Sequence, residues 1–423
     1  MKPALLVAAW LSCAALGCGD ELVTPLFLPG TTSTGSTGAT GAGGLGVGGA
    51  GGGGAAVGGG GTGGVPEAWA WNLPTGFPVP KVPAGNPMSV AKVELGRRLL
   101  YDQRLSGNQS QACASCHRQE RAFTDDLAQA VGATGQVHPR GAMSLANVAY
   151  LTVLTWAHPY MFELEDQAVV PMFDDEPVQL GLSSNVDQEL LARLAAEPIY
   201  PPMFVEAFPE AAQPLSLQSV VRALAAFERT LISGTSPFDR WQYGGQEEAI
   251  SDAAKRGHDL FDSEKLECFQ CHSGFNFQDS NEYEGKSLVD VHFHNTGLYN
   301  IDGMGAYPAP NTGIHALTQK PEDMGKFRAP TLRNIAVTAP YMHDGSAATL
   351  DDVLEHYAAA GRTIESGPNA GDGSENPYKS DFLVGFELTA EERADLHAFF
   401  ESLTDEAFLS DPQHADPWQL PQK

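Results

Sequence analysis

The tightest constraint on this chain is a five-residue pattern that occurs twice, as Cys113-Ala114-Ser115-Cys116-His117 and as Cys268-Phe269-Gln270-Cys271-His272. C-x-x-C-H is the attachment signal of c-type haem. Two thiols at this spacing can each form a thioether to a haem vinyl group. The adjacent histidine is then carried beneath the iron as its proximal ligand. A competing reading joins the two C-x-x-C pairs into one four-thiolate zinc site. It leaves the two identically placed histidines without a role, so two covalently bound c-type haems are expected.

The flanking segments repeat as well. Leu95-Gly96-Arg97-Arg98-Leu99-Leu100-Tyr101 precedes the first motif and Arg256-Gly257-His258-Asp259-Leu260-Phe261 the second. Ile250, Ala254, Gly257 and Phe261 fall at helical spacing. A glycine inside a helix costs about 1 kcal/mol relative to alanine and marks the close approach of another backbone. Phe123-Thr124-Asp125 and Phe277-Gln278-Asp279 then follow the motifs in parallel. Each half should close with a helix, one carrying Val220, Leu224, Phe227 and Leu231, the other Leu396, Phe399, Phe400 and Leu403. Thr389 and Glu392 are spaced as a capping box for the latter. Helix, haem motif, loop and closing helix form the plan of a cytochrome c domain, used twice. The expected fold is mostly α, with two cytochrome c-like haem domains packed together behind a disordered Gly-rich tether. Their expected bounds are 81–238 and 239–410, divided near the Gly- and Pro-containing stretch 234–246. Segments 302–313 and 365–377 should be loops.

The front of the chain reads differently. Residues 1–18 carry a lysine and a short apolar run, an export signal too short to span a membrane as a helix. They end in Ala15-Leu16-Gly17-Cys18, close to a lipobox, which makes Cys18 a candidate for lipidation. Residues 19–80 form the tether; the Gly-, Thr- and Ser-rich part, some 35 residues, would reach about 30 Å. The expected location is the periplasm, with membrane contact only through that lipid. Beyond residue 80 the chain has four cysteines, all in the haem motifs, so no disulfide is expected. A formal charge of −27 argues against nucleic acid and anionic lipid as partners.

Residues 85–405 resemble the bacterial di-haem cytochrome c peroxidase/MauG family, and within it the MbnH-like branch. The resemblance rests on Ala329-Pro330-Thr331-Leu332-Arg333-Asn334 and on Thr338-Ala339-Pro340-Tyr341-Met342-His343-Asp344-Gly345. Leu154-Thr155-Trp156-Ala157-His158-Pro159 and His294-Asn295-Thr296-Gly297-Leu298-Tyr299 add to it. It implies two cytochrome c domains with one calcium ion between the haems. By motif position it makes Tyr357 the distal ligand of the second haem, where the family's peroxidases carry methionine. A thioether favours Fe(II) and a high potential, whereas a phenolate is hard and anionic and favours Fe(III). Trp156 falls where the family has a tryptophan between the haems, and Asn147 with the carbonyls of Thr338 and Pro340 would hold the calcium. Gln167 and Pro171 match the distal segment of the first haem. The family's catalytic glutamate is replaced here by Gln179, and an amide cannot relay a proton across peroxide as a carboxylate does. Glu176 is the candidate substitute. His138 could cap the first iron but is read as structural, and His292, His294 and His343 as hydrogen-bonding histidines.

The resemblance therefore implies an enzyme driven by hydrogen peroxide. It would oxidise a residue, in the MbnH-like branch a tryptophan, of a secreted copper-binding partner protein. The alternative is a conventional cytochrome c peroxidase that takes its electrons from a small cytochrome.

Overall fold

The computed structural model describes residues 69–174, 177–182 and 187–419. The export signal, Cys18, the tether through residue 68 and Glu176 lie outside the described residues.

The described chain is mostly α. In order it contains α1 (Val90–Leu100), α2 (Leu164–Phe173), α3 (Asp187–Ala196), α4 (Tyr200–Ala207) and α5 (Leu217–Glu228). There follow α6 (Pro237–Gln242), α7 (Asp252–Phe261), α8 (His315–Thr318), α9 (Leu350–Ala358), α10 (Ala390–Ser402) and α11 (Glu406–Ser410). A two-residue antiparallel pair, β1 (Thr363–Ile364) and β2 (Gly371–Asp372), is the one sheet among the described residues. No described helix is long and apolar enough to cross a membrane.

Side-chain caps start the helices that matter most. Ser89, Ser216 and Ser251 accept the first free backbone N–H groups of α1, α5 and α7. The capping box expected at Thr389 and Glu392 is present. The Thr389 N–H donates to Glu392 Oε2 at 2.8 Å and the Glu392 N–H to Thr389 Oγ1 at 3.1 Å.

Both helical glycines stand where backbones meet. On α1, a β-carbon at Gly96 would lie 1.9 Å from the carbonyl oxygen of Ala223 on α5; on α7, one at Gly257 would lie 2.0 Å from that of Asp395 on α10. Two helix crossings of the same design therefore stand behind the two C-x-x-C-H motifs. The first organises a core containing Leu95, Leu99, Phe123, Leu224, Phe227 and Phe408. The second organises one containing Phe238, Phe261, Phe277, Leu396 and Phe399.

Some expectations shift in detail. Leu231 lies three residues past the end of α5, and Leu403 caps α10, yet both are fully buried. Ile250 precedes α7 but packs inward. Segment 234–246 contains α6, because Pro237 is preset for a first helical turn and Ser236 and Asp239 cap each other. Segment 365–377 includes β2 and a single 3-10 turn, Gly373–Glu375.

Candidate functional site

Each C-x-x-C-H motif folds as one 3-10 turn, Cys113–Ser115 and Cys268–Gln270, that swings the histidine back over the first cysteine. The backbone N–H groups of His117 and His272 donate to the carbonyls of Cys113 and Cys268, both at 3.0 Å. The loop that follows fixes each ring. His117 Nδ1 lies 2.8 Å from the Phe123 carbonyl and His272 Nδ1 3.1 Å from that of Phe277. A carbonyl only accepts, so Nδ1 carries the proton in both rings and Nε2 is left with a free lone pair. Burial keeps both imidazoles below their ordinary pKa and therefore neutral. That is the state and tautomer an axial ligand needs.

Burial also pushes the thiols of Cys113 and Cys268 up to about 12 and that of Cys116 up to about 11. The zinc alternative fails on placement. Among the described residues one group of His, Cys, Asp and Glu side chains converges closely enough for a metal, namely Cys271, Asp279 and His294. No group unites the two cysteine pairs, although all four cysteines are described.

A solvent-open cleft with a mostly apolar wall runs along the second motif. Cys268, Cys271, His272 and Tyr357 share its wall, with Trp156, Thr338 and Pro340 further along. The residues present thus fit a covalent porphyrin, with an imidazole and a phenol available to its iron. Tyr357 comes from α9, and burial raises its phenol pKa, with the nearby Cys271 and Cys268 adding to the effect. The indole of Trp156 donates to the Gly141 carbonyl at 2.9 Å. The same cavity reaches Thr124 and Asp125, next to Phe123 of the first histidine loop.

Asn147 is not on that wall, although Ala146 beside it is. It is fully buried, with Nδ2 donating to the Ser233 carbonyl at 2.9 Å and to Asn276 Oδ1 at 3.0 Å, and Oδ1 accepting from the Ser233 N–H at 2.8 Å. Those bonds pin the turn after α5 and leave one lone pair on Oδ1. Gln167 sits on α2, whose Pro171 carbonyl accepts from the Leu180 N–H at 2.8 Å, folding the Gln179 segment back against the helix. The Gln179 carbonyl accepts from Ala133 at 2.7 Å. His138 Nε2 lies 3.2 Å from the Val178 carbonyl, so it links two loops. His294 bonds Asp279 at 2.5 Å; burial opposes its charge, but this bond prevails and raises it to about 10. His292 lies 3.8 Å from the same carboxylate.

Two further groups stand beside Trp156, of which Arg328 escaped sequence reasoning. Arg328, fully enclosed and lowered to about 10 by burial, donates through its backbone N–H to the Trp156 carbonyl at 2.9 Å and through Nε to that of Thr155 at 3.0 Å. Its position one residue before Ala329-Pro330-Thr331 was the available signal. His343 stacks on Phe327 at 3.7 Å and meets Trp156 edge-on at 6.5 Å. Burial pushes it down to about 4, and its Nε2 has no partner among the described residues.

The comparisons with known proteins agree with this arrangement. The family described as "Di-haem cytochrome c peroxidase" matches residues 90–248. The methylamine utilization protein MauG of Methylophilus methylotrophus is 35% identical over 345 residues, covering 79% of this chain and 90% of that protein. The cytochrome-c peroxidase IdrP1 of Denitromonas iodatirespirans is 35% identical, covering 81% and 88%. A crystal structure described as a MauG-like protein associated with microbial copper homeostasis superposes with a TM-score of 0.81 at 48% identity, covering 83% of this chain and all of that one. With two C-x-x-C-H motifs on matching helix crossings and relatives matched over most of their length, this chain belongs to the di-haem cytochrome c peroxidase and MauG family, two-haem oxidoreductases of the peroxidase type.

Proposed function

We propose that this oxidoreductase uses hydrogen peroxide to oxidise another protein, and that the residue oxidised is a tryptophan of a copper-binding partner. The observation that carries the reading is Tyr357 on the cavity wall shared with Cys268, Cys271 and His272. A solved relative's association with microbial copper homeostasis supports the choice of partner.

Cys113 and Cys116 would hold one haem and Cys268 and Cys271 the other, with Nε2 of His117 and His272 turned to the irons. The haems supply peroxide activation and storage of oxidising equivalents. Tyr357 keeps its proton in the buried site by itself, so phenolate forms only beside a strong cation. As phenolate it would hold the second iron in its higher oxidation states, the opposite of what an electron-accepting haem needs. Trp156, fixed by Gly141 and Arg328, is the aromatic group through which charge would pass between the two sites. Gln167 and Gln179 would orient peroxide, and Glu176 would move its proton. Reducing one peroxide to two waters takes two electrons and two protons, drawn from the partner residue and the surrounding water.

A calcium ion on the free lone pair of Asn147 Oδ1 with the carbonyls of Thr338 and Pro340 belongs to the same proposal, since oxygen donors suit calcium. So does export to the periplasm with a lipid at Cys18. A net charge of −27 fits a neutral or basic protein partner.

The test is to mix the purified two-haem protein, peroxide and a secreted copper-binding protein from the same organism. A tryptophan-containing peptide of that partner should change mass only when all three are present. Fast peroxide turnover with a reduced small cytochrome and an unchanged partner would establish the conventional peroxidase instead.

A further inference from the structure

The two histidine loops are alike in backbone but are held from different parts of the chain. Phe123 and Phe277, whose carbonyls accept from His117 and His272, both adopt left-handed backbone, with φ of 60° and 48°. A bulky residue stays there only where its surroundings over-determine it. Phe277 is held inside the second core: its ring meets Phe238 at 5.2 Å, Phe399 of α10 at 5.8 Å and Phe261 of α7 at 6.3 Å. Phe123 is held by the far end of the chain. Its ring meets Phe408 of α11 at 5.7 Å and His414 at 6.3 Å, and those two meet each other at 5.5 Å.

Hydrogen bonds hold α11 in that place. Gln119, two residues past His117, donates from Nε2 to the carbonyls of Phe408 at 3.1 Å and Asp411 at 2.9 Å. At the joint between α10 and α11, the buried Asp405 carboxylate accepts from the N–H groups of Gly234 at 2.9 Å and Thr235 at 2.8 Å, and from Thr235 Oγ1 at 2.8 Å. The Asp405 N–H donates to Asn334 Oδ1 at 2.8 Å. Further on, Arg97 and Tyr101 of the α1 region bond the carbonyls of Ala415 and His414 at 3.0 and 2.8 Å.

We propose that Phe408 is a positioning residue for His117: by packing on Phe123 it fixes the carbonyl that sets the rotation and basicity of the imidazole. The inference rests on the haem attachment proposed above for Cys113, Cys116 and His117. An Nδ1–H bond to a well-placed acceptor raises the electron donation available at Nε2. Loosening Phe123 therefore weakens that donation and favours the reduced iron. The second histidine has its own support from Phe399, so the effect is confined to one haem.

The experiment uses the full two-haem protein, with haem attachment to each cysteine pair checked by mass spectrometry. Phe408→Ala should shift the low-temperature EPR signal of the first haem and raise its midpoint potential, with the second haem unchanged. Phe408→Leu should keep most of the native values, and Gln119→Ala should move the first haem in the same direction by less. Phe399→Leu should move the second haem alone. Native first-haem signals in Phe408→Ala and Gln119→Ala, or equal shifts of both haems, would overturn the proposal. Should Phe408→Ala fail to fold, Gln119→Ala decides on the same readings. Absence of haem from Cys113 and Cys116 in the unaltered protein would instead overturn the attachment itself.

Discussion

Replacing Gly257 by alanine tests how tightly the second helix crossing is drawn. The added methyl carbon would stand 2.0 Å from the carbonyl oxygen of Asp395, 2.5 Å from its carbon and 2.9 Å from the β-carbon of Phe399. Non-bonded heavy atoms settle near 3.5 Å, so α10 would have to withdraw from α7 by roughly 1.5 Å. On an open helix the same change would stabilise by about 1 kcal/mol. Here overpacking costs about 1–3 kcal/mol. Withdrawal also loosens the ring contacts of Phe399 with Phe261 at 5.3 Å and Phe277 at 5.8 Å, pairs worth about 0.5–1.5 kcal/mol each. The balance is a net loss of about 2 kcal/mol, or a fall of about 4–8 °C in melting temperature at roughly 2–4 °C per kcal/mol. Circular dichroism of the two-haem protein on heating would measure it. Gly85→Ala is the control, because a methyl there meets nothing within 4 Å. The Phe277 carbonyl that orients His272 moves with Phe399, so the absorption of the second haem should change as well. A Gly257→Ala protein that melts at or above the native temperature would refute the claim that a carbonyl, rather than chance, keeps a glycine there.

Other expectations can be checked singly. Arg333 and Asp239 form a buried ion pair at 2.8 Å; Arg333→Met should cost about 3–5 kcal/mol in denaturant unfolding, with part recovered when Asp239 is also replaced by leucine. Burial pushes Glu228 up to about 8 despite the opposing charge of Arg229. The folded protein therefore keeps a proton that the unfolded chain releases in the ordinary glutamate range. Its contribution is complete below that range and is lost as pH rises through about 8, so Glu228→Gln should flatten the decline in stability over that window. Tyr357→Met should raise the midpoint potential of the second haem in a spectroelectrochemical titration; an unchanged potential would remove tyrosine from that iron. Chelation with EGTA should lower the melting temperature, and one equivalent of calcium should restore it; an unchanged melting curve and a calcium-free protein by elemental analysis would leave Asn147 as a hydrogen-bonding pin.

What the sequence disclosed depended on how locally each feature is determined. The haem motifs, the caps at Thr389 and the glycines at 96 and 257 were legible because a short spacing or a single missing side chain carries the physics. Leu231 and Leu403 were correctly placed inside but wrongly placed on helices, since burial periodicity runs on past the point where hydrogen bonding stops. Nothing local marks Phe408 as the support of Phe123, because 285 residues separate partners that only the folded chain brings together. The paired Phe-x-Asp runs after each motif were visible. That their phenylalanines adopt left-handed backbone and orient the histidines was not, because aromatic residues rarely adopt that conformation and propensity argues against it. The same reasoning separates the proposed calcium ligand from its neighbours. Thr338 and Pro340 line the cavity, while Asn147, not itself on that wall, spends its amide on Ser233 and Asn276. A motif fixes the interval along the chain, but the hydrogen bonds already satisfied decide how much of a side chain is left for an ion.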